Sequence, residues 1–164
     1  MDQSFPVLTN CLFTDNSGAG VYNTLGSAAI LTNCTLVGNA GYAIENWESA
    51  PQLTNCILWG NTPSQIYDEA GTLTIASSDV QGGYPGTGIL NADPLFVNAP
   101  LGNYDLAPGS PCIGTGYNLA PSMPQFDFEG DPRLMDGNGD GEVRVDMGMD
   151  EVVGFRAYLP VLLR

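Results

Sequence analysis

The tetrapeptide Leu-Thr-Asn-Cys occurs three times, at residues 8–11, 31–34 and 53–56, in steps of 23 and 22. A degenerate fourth copy, Ile75-Ala76-Ser77-Ser78, follows at a step of 22. The register extends past the tetrapeptide. Phe13, Leu36, Leu58 and Val80 align, and Asn16, Asn39 and Asn61 come three residues later, with Gly83 in the fourth copy. Val21, Ile44, Ile66 and Ile89 form another column, and Asn23, Asn46, Asp68 and Asn91 a further one. Several columns at one period demand an architecture of stacked, near-identical units.

Each copy holds short apolar alternations broken by Gly, Asn, Pro or Ser. These runs are too short and too β-branched for helices, and they read as strands of three to five residues. A leucine-rich repeat has a similar length but needs regularly placed leucines that this unit lacks. The remaining solution is a parallel β-helix, one coil of three short strands per copy, with coils about 4.8 Å apart. Equivalent residues then stack: Leu8, Leu31, Leu53 and Ile75 as an inner aliphatic ladder, and Cys11, Cys34 and Cys56 beside it. Asn10, Asn33 and Asn55 would form a ladder at a bend, because asparagine tolerates a left-handed backbone. Their amides would hydrogen-bond along the axis.

The copies LTNCTLVGNAGYAIEN and LTNCILWGN resemble repeats of right-handed parallel β-helix proteins of the pectin-lyase-like superfold. The second half is similar to the C-terminal end of the choice-of-anchor Q group of bacterial surface proteins. The matching marks are Asp93-Pro94-Leu95-Phe96, Tyr104-Asp105-Leu106, Ser110-Pro111-Cys112-Ile113, Arg133, and Asp146-Met147-Gly148 before Asp150-Glu151. The resemblance covers roughly residues 5–152. It implies an all-β, right-handed parallel β-helix of about four coils of 22–23 residues, with an irregular C-terminal closing segment and a terminal strand. It also implies an extracellular or cell-surface location, although the first residues, MDQSFPVLTN, carry no signal peptide.

Residues 1–91 are expected to form the coils and 92–126 a proline-rich closing segment running over the last coil. Pro94, Pro100, Pro108, Pro111, Pro121 and Pro124 disfavour central strands there. Residues 127–151 form an acidic loop region with nine of the 18 acids, and 152–164 an apolar tail. Eighteen acids face only four arginines, giving a net charge of −14, with no lysine and no histidine. Nucleic acid is excluded as a partner, since binding it needs clustered cations. No stretch is long and apolar enough for membrane insertion.

The best candidate metal site is the acidic loop Asp136-Gly137-Asn138-Gly139-Asp140-Gly141-Glu142. Oxygen-bearing residues at positions 1, 3 and 5, then glycine at 6, match the first half of a calcium loop. Met147 stands at position 12, where a bidentate glutamate belongs. Asp146 is the substitute, with Asp150 or Glu151 assisting. The competing arrangement pairs Arg133 or Arg144 with Asp146.

Catalysis is not expected. A uronate lyase needs a basic residue and charge neutralisation, and no cationic side chain precedes Arg133. Acid-type glycoside hydrolysis needs only carboxylates. Asp15, Glu45, Glu48, Asp68, Glu69 and Asp79 are available but form no recognisable pair. Trp47, Trp59, Tyr22, Tyr42 and Tyr67 could form a sugar-stacking strip, with packing as their plainer role. Cys11, Cys34 and Cys56 read as free stacked thiols, and Cys112 could still pair with one of them. Asn33-Cys34-Thr35 is a glycosylation sequon by pattern only. A bare β-helix end exposes unpaired strand edges. The expected function is therefore a structural or adhesive protein, self-associating end to end into filaments through the tail. The alternative is a carbohydrate-binding or acid-type glycoside-hydrolysing module.

Overall fold

The computed structural model describes residues 3–154. It is a right-handed parallel β-helix of three complete coils and two strands of a fourth. Coil 1 contains β1 (Val7–Thr9), β2 (Leu12–Thr14) and β3 (Val21–Asn23). Coil 2 contains β4 (Ile30–Thr32), β5 (Thr35–Val37) and β6 (Ile44–Trp47). Coil 3 contains β7 (Gln52–Thr54), β8 (Ile57–Trp59) and β9 (Ile66–Glu69). Coil 4 has β10 (Thr74–Ala76) and β11 (Asp79–Val80). Three parallel sheets result, β1-β4-β7-β10, β2-β5-β8-β11 and β3-β6-β9. The residue columns read from the sequence are the strand registers: Leu8 pairs with Leu31, Leu31 with Leu53, and Ile75 with Leu53.

The coils hold together because the columns sort by chemistry. Leu31, Cys34, Leu36 and Ile44 are fully buried, as are Cys56 and Leu58 one coil on. Asn10, Asn33 and Asn55 turn the chain between the first two sheets with φ of 52°, 53° and 55°. The second asparagine column is a continuous polar ladder. Asn16 donates to Asn39 at 2.8 Å and Asn39 to Asn61 at 2.7 Å. Gly83 has no amide to continue it, so Gln65 receives from Asn61 at 2.6 Å and donates in turn to Gln81. Asn39, Asn61 and Gln65 are buried, and each is paired with its neighbours in the ladder, which offsets the cost of burying them.

The closing segment corrects the expectation that it lies over the last coil. Residues just before it lie on that coil: backbone pairs Ala76 with Thr87 and Asp79 with Leu90. A hairpin of β12 (Phe96–Asn98) and β13 (Asn103–Leu106) follows, joined by a 3-10 turn at Ala99–Leu101. The chain then runs back along the stack toward coil 1. Asn55 of coil 3 accepts from the Tyr117 backbone N–H and donates to its carbonyl. Thr32 of coil 2 donates to the Pro121 carbonyl, and Asn10 of coil 1 donates to that of Phe126. The bend asparagines explain this path. Asn55 does reach Asn33 at 3.3 Å. The Asn33 amide, however, donates to the carbonyls of Asp146 and Gly148. These side chains form the seam to which the strap is tied.

The strap also buries the outer face of the second sheet. Ile57 packs with Leu106, Cys112, Ile113 and Met147, and Val37 with Tyr104 and Met149. The protein thus has one core inside the coils and a second between sheet and strap. All four cysteines are free, and the Cys112 thiol donates to Asp79 at 3.4 Å. Residues 152–154 form no strand, and the rest of the apolar tail lies outside the described residues.

Candidate functional site

With the strap on the second sheet, no described residue covers the outer face of the third sheet. Period-2 alternation puts Val21, Ile44 and Ile66 inside and Tyr22, Glu45 and Tyr67 outside, in register. One column further, Trp47 pairs with Glu69. Aromatic rings and carboxylates therefore alternate along the axis in both columns, and no two carboxylates stack. The rings gather around Tyr67. Its centroid lies 5.3 Å from Tyr42 and 5.1 Å from Trp47. Polar tips hold the acids against the rings: Trp47 Nε1–H donates to Glu45 at 3.0 Å and the Tyr67 hydroxyl to Glu69 at 3.3 Å. Partial desolvation, then the charge of Glu69, pushes the Tyr67 phenol above its ordinary value. Tyr22 is 59% exposed and Trp47 36%.

Trp59 is no part of this face. It sits on β8 and packs under the strap beside Phe96 and both outer-core clusters, which corrects its place in the expected strip. Asp79 is also buried, with its carboxyl pushed up by burial and held by the Ala92 N–H and Cys112. Asp68 follows Asn46 in its column and accepts its amide. Asp15 and Glu48 lie exposed at positive φ.

The acidic loop is organised by its own side chains. Asp136 accepts from the N–H groups of Gly139 and Gly141. Asn138 accepts from Asp140, and Asp140 from Glu142. Glu142 pairs with Arg144 on the surface. Asp146 is fully buried, and its two oxygens accept from Gly114 and Val152. Neither arginine pairs with Asp146: Arg144 takes Glu142, and Arg133 lies 3.6 Å from Glu151. Among the described residues, the carboxylate trio whose oxygens lie within 4.8 Å of one another is Asp105, Glu129 and Asp150, a cluster the sequence reading missed. It joins β13 to two distant loops, and no sequence spacing signals it.

Arg133 anchors the interior of the strap. It is fully buried and donates to the carbonyls of Met149 and Asp150 and to Asn10. Burial raises Glu151 against the pull of Arg133, and it lifts Asp146 and Asp150 each to about 6. Desolvation also pulls the Arg133 guanidinium down. Arg133, Asp146, Asp150 and Glu151 are all buried beneath the strap.

The coils, the strap and the ring-and-acid face define a short parallel β-solenoid with one decorated sheet. The family described as "Right handed beta helix region" matches residues 1–58, from the first coil into β8. No curated protein and no solved structure matches the chain.

Proposed function

We propose that the chain is a non-catalytic, extracellular adhesive module: a rigid β-helix that presents carbohydrate-binding side chains on its third sheet. The observation that carries this reading is the cluster of Tyr42, Trp47 and Tyr67, flanked by Glu45 and Glu69, on a face that the strap leaves uncovered. Aromatic rings stack on the C–H faces of sugars while carboxylates accept from hydroxyls. The side-chain inventory argues against lyase chemistry, since the chain has neither histidine nor lysine to serve as a base. A surface location draws support from the likeness of the second half to the choice-of-anchor Q group. Calcium in the loop Asp136–Glu142 belongs to the same proposal, as a stabilising ion. Glycan-array screening tests the main reading. Binding that Trp47→Ala abolishes is the expected result, and a blank array removes it.

A second reading, self-association, has its own observation. β1, β2 and β3 each lie at the end of their sheet. Leu8, Cys11, Phe13 and Val21 are half-buried there, although their counterparts in coil 2 are fully buried. Exposed strand edges recruit other strands. Filaments built head to tail would also need the far end, where residues 87–90 already pair with β10 and β11. Electron micrographs of the concentrated chain are expected to show end-joined particles. Dispersed single particles at every concentration remove this reading.

A further inference from the structure

We infer that the ligand of the third sheet is a cationic carbohydrate, a chain of amino sugars bearing free ammonium groups. This rests on the reading of that face as a carbohydrate site and names its substrate class.

The argument is one of charge complementarity. Glu45 and Glu69 each use one oxygen, to Trp47 and Tyr67 respectively. Their second oxygens make no hydrogen bond among the described residues. The described cations are elsewhere: Arg133 is enclosed beneath the strap and Arg144 is paired with Glu142. Among the described residues the face is therefore a set of rings whose edge carboxylates meet no cation, on a chain of net charge −14. A uronate polymer would be repelled. A neutral sugar would stack but leave both carboxylates unanswered. A pyranose with an ammonium group satisfies both, placing its C–H face on a ring and its charge beside a carboxylate, with the ring quadrupoles adding to the attraction. The geometry also favours a rigid ligand over a flexible basic peptide. Rings and acids alternate in two columns along coils about 4.8 Å apart, an arrangement suited to a chain of rigid rings. Immobilising lysine side chains would cost rotamer entropy at each contact.

Titration calorimetry on the full chain, at low salt and mildly acidic pH, tests this with four probes of equal length. They are oligomers of glucosamine, of N-acetylglucosamine and of glucose, and an oligolysine. The expected result is binding of the glucosamine oligomer about tenfold or more tighter than its acetylated form. Glu45→Gln with Glu69→Gln should erase that preference, and Trp47→Ala should abolish binding. All three positions are exposed or half-exposed, and an unchanged melting temperature confirms that each variant is folded. Equal binding of charged and neutral sugars overturns the cationic ligand while keeping the carbohydrate site. Oligolysine binding as tight as the glucosamine oligomer, and unaffected by Trp47→Ala, overturns it in favour of bare charge attraction. Failure of all four probes overturns both.

Discussion

Arg133 donates from its guanidinium to the side-chain oxygen of Asn10 at 2.6 Å, joining residues 123 positions apart. The contact ties the last stretch of the strap to the first coil. It also places a full positive charge where no water reaches it. Such a charge is tolerated when it is paired and hydrogen-bonded. Glu151 and the carbonyls of Met149 and Asp150 add partners to Asn10, although the Arg133 Nε and one Glu151 oxygen stay without one.

Replacing Arg133 with methionine keeps much of the volume and removes every one of these bonds. Glu151 is then left buried without its partner. The expected loss is about 3–5 kcal/mol, read as a fall in the urea midpoint. Adding Glu151→Gln should recover part of it, because the uncompensated charge disappears. A double variant no more stable than Arg133→Met alone would show that packing, not charge pairing, sets the cost.

The amide ladder predicts a sharp contrast at Asn39. Its side chain receives from Asn16 and donates to Asn61 and to the Phe13 carbonyl. Asn39→Ala leaves the neighbouring amides unpaired, at about 1–3 kcal/mol. Asn39→Asp should cost more. A carboxylate keeps the shape but cannot donate to Asn61, and it carries charge into a buried column. Equal urea midpoints for the two variants would contradict the ladder.

Stability should rise as the solution is acidified from neutrality, opposite to ordinary acid denaturation. Burial lifts Asp146 and Asp150 to about 6, and it also raises Asp79 and Glu151. The folded state therefore holds these protons more tightly than the unfolded state, whose carboxylates titrate near ~4. For Asp146 and Asp150 the gain begins as pH falls through about 6 and is complete below about 4, while Glu151, raised further, takes up its proton at higher pH. Each of Asp146 and Asp150 contributes on the order of 1–3 kcal/mol. Melting temperatures measured from about pH 7.5 to pH 5 should climb. A steady fall over that range would refute the assignment.

Two glycines separate steric from conformational cost. A Cβ on Gly71 would meet Asn46 Nδ2 and Asp68 Oδ1 in direct overlap, so Gly71→Ala must displace the Asn46–Asp68 hydrogen bond. Gly102 has open space but a φ of 78°, so Gly102→Ala costs only the left-handed strain, about 1 kcal/mol. Thermal melts should place Gly71→Ala well below Gly102→Ala.

Calcium gives a test of the acidic loop. If an ion joins Asp136, Asn138 and Asp140, melting in millimolar calcium should exceed melting in chelator, and Asp136→Asn should remove the difference. Identical melts would leave the loop closed by its own backbone hydrogen bonds alone.

The coils were legible because a stacked fold writes its contacts into the sequence at a fixed step. Leu31 lies over Leu8 and Asn39 over Asn16, so one column of letters is one column of contacts. The outward alternation of Tyr22, Glu45 and Tyr67 was readable for the same reason. The strap was not, since residues 92–151 have no period. The partners of Asn10 and Asn33 lie more than a hundred residues away, and nothing local marks them. Trp59 was misplaced because an outward residue of the second sheet looks solvent-facing until the strap is laid over it. The two peptide N–H groups that surround Asp146 were not legible, because spacing reports order along the chain and is silent on which backbone groups will enclose a carboxylate.

The return path of the strap changes how the whole molecule should come apart. In a plain solenoid each coil touches only its neighbours, so end coils can fray and unfolding can spread one unit at a time. Here a single segment is tied to Asn55, Thr32 and Asn10 in three successive coils. Loosening any coil strains ties shared with the others. A short repeat array is thereby made cooperative, with coils that never meet melting in one all-or-none transition.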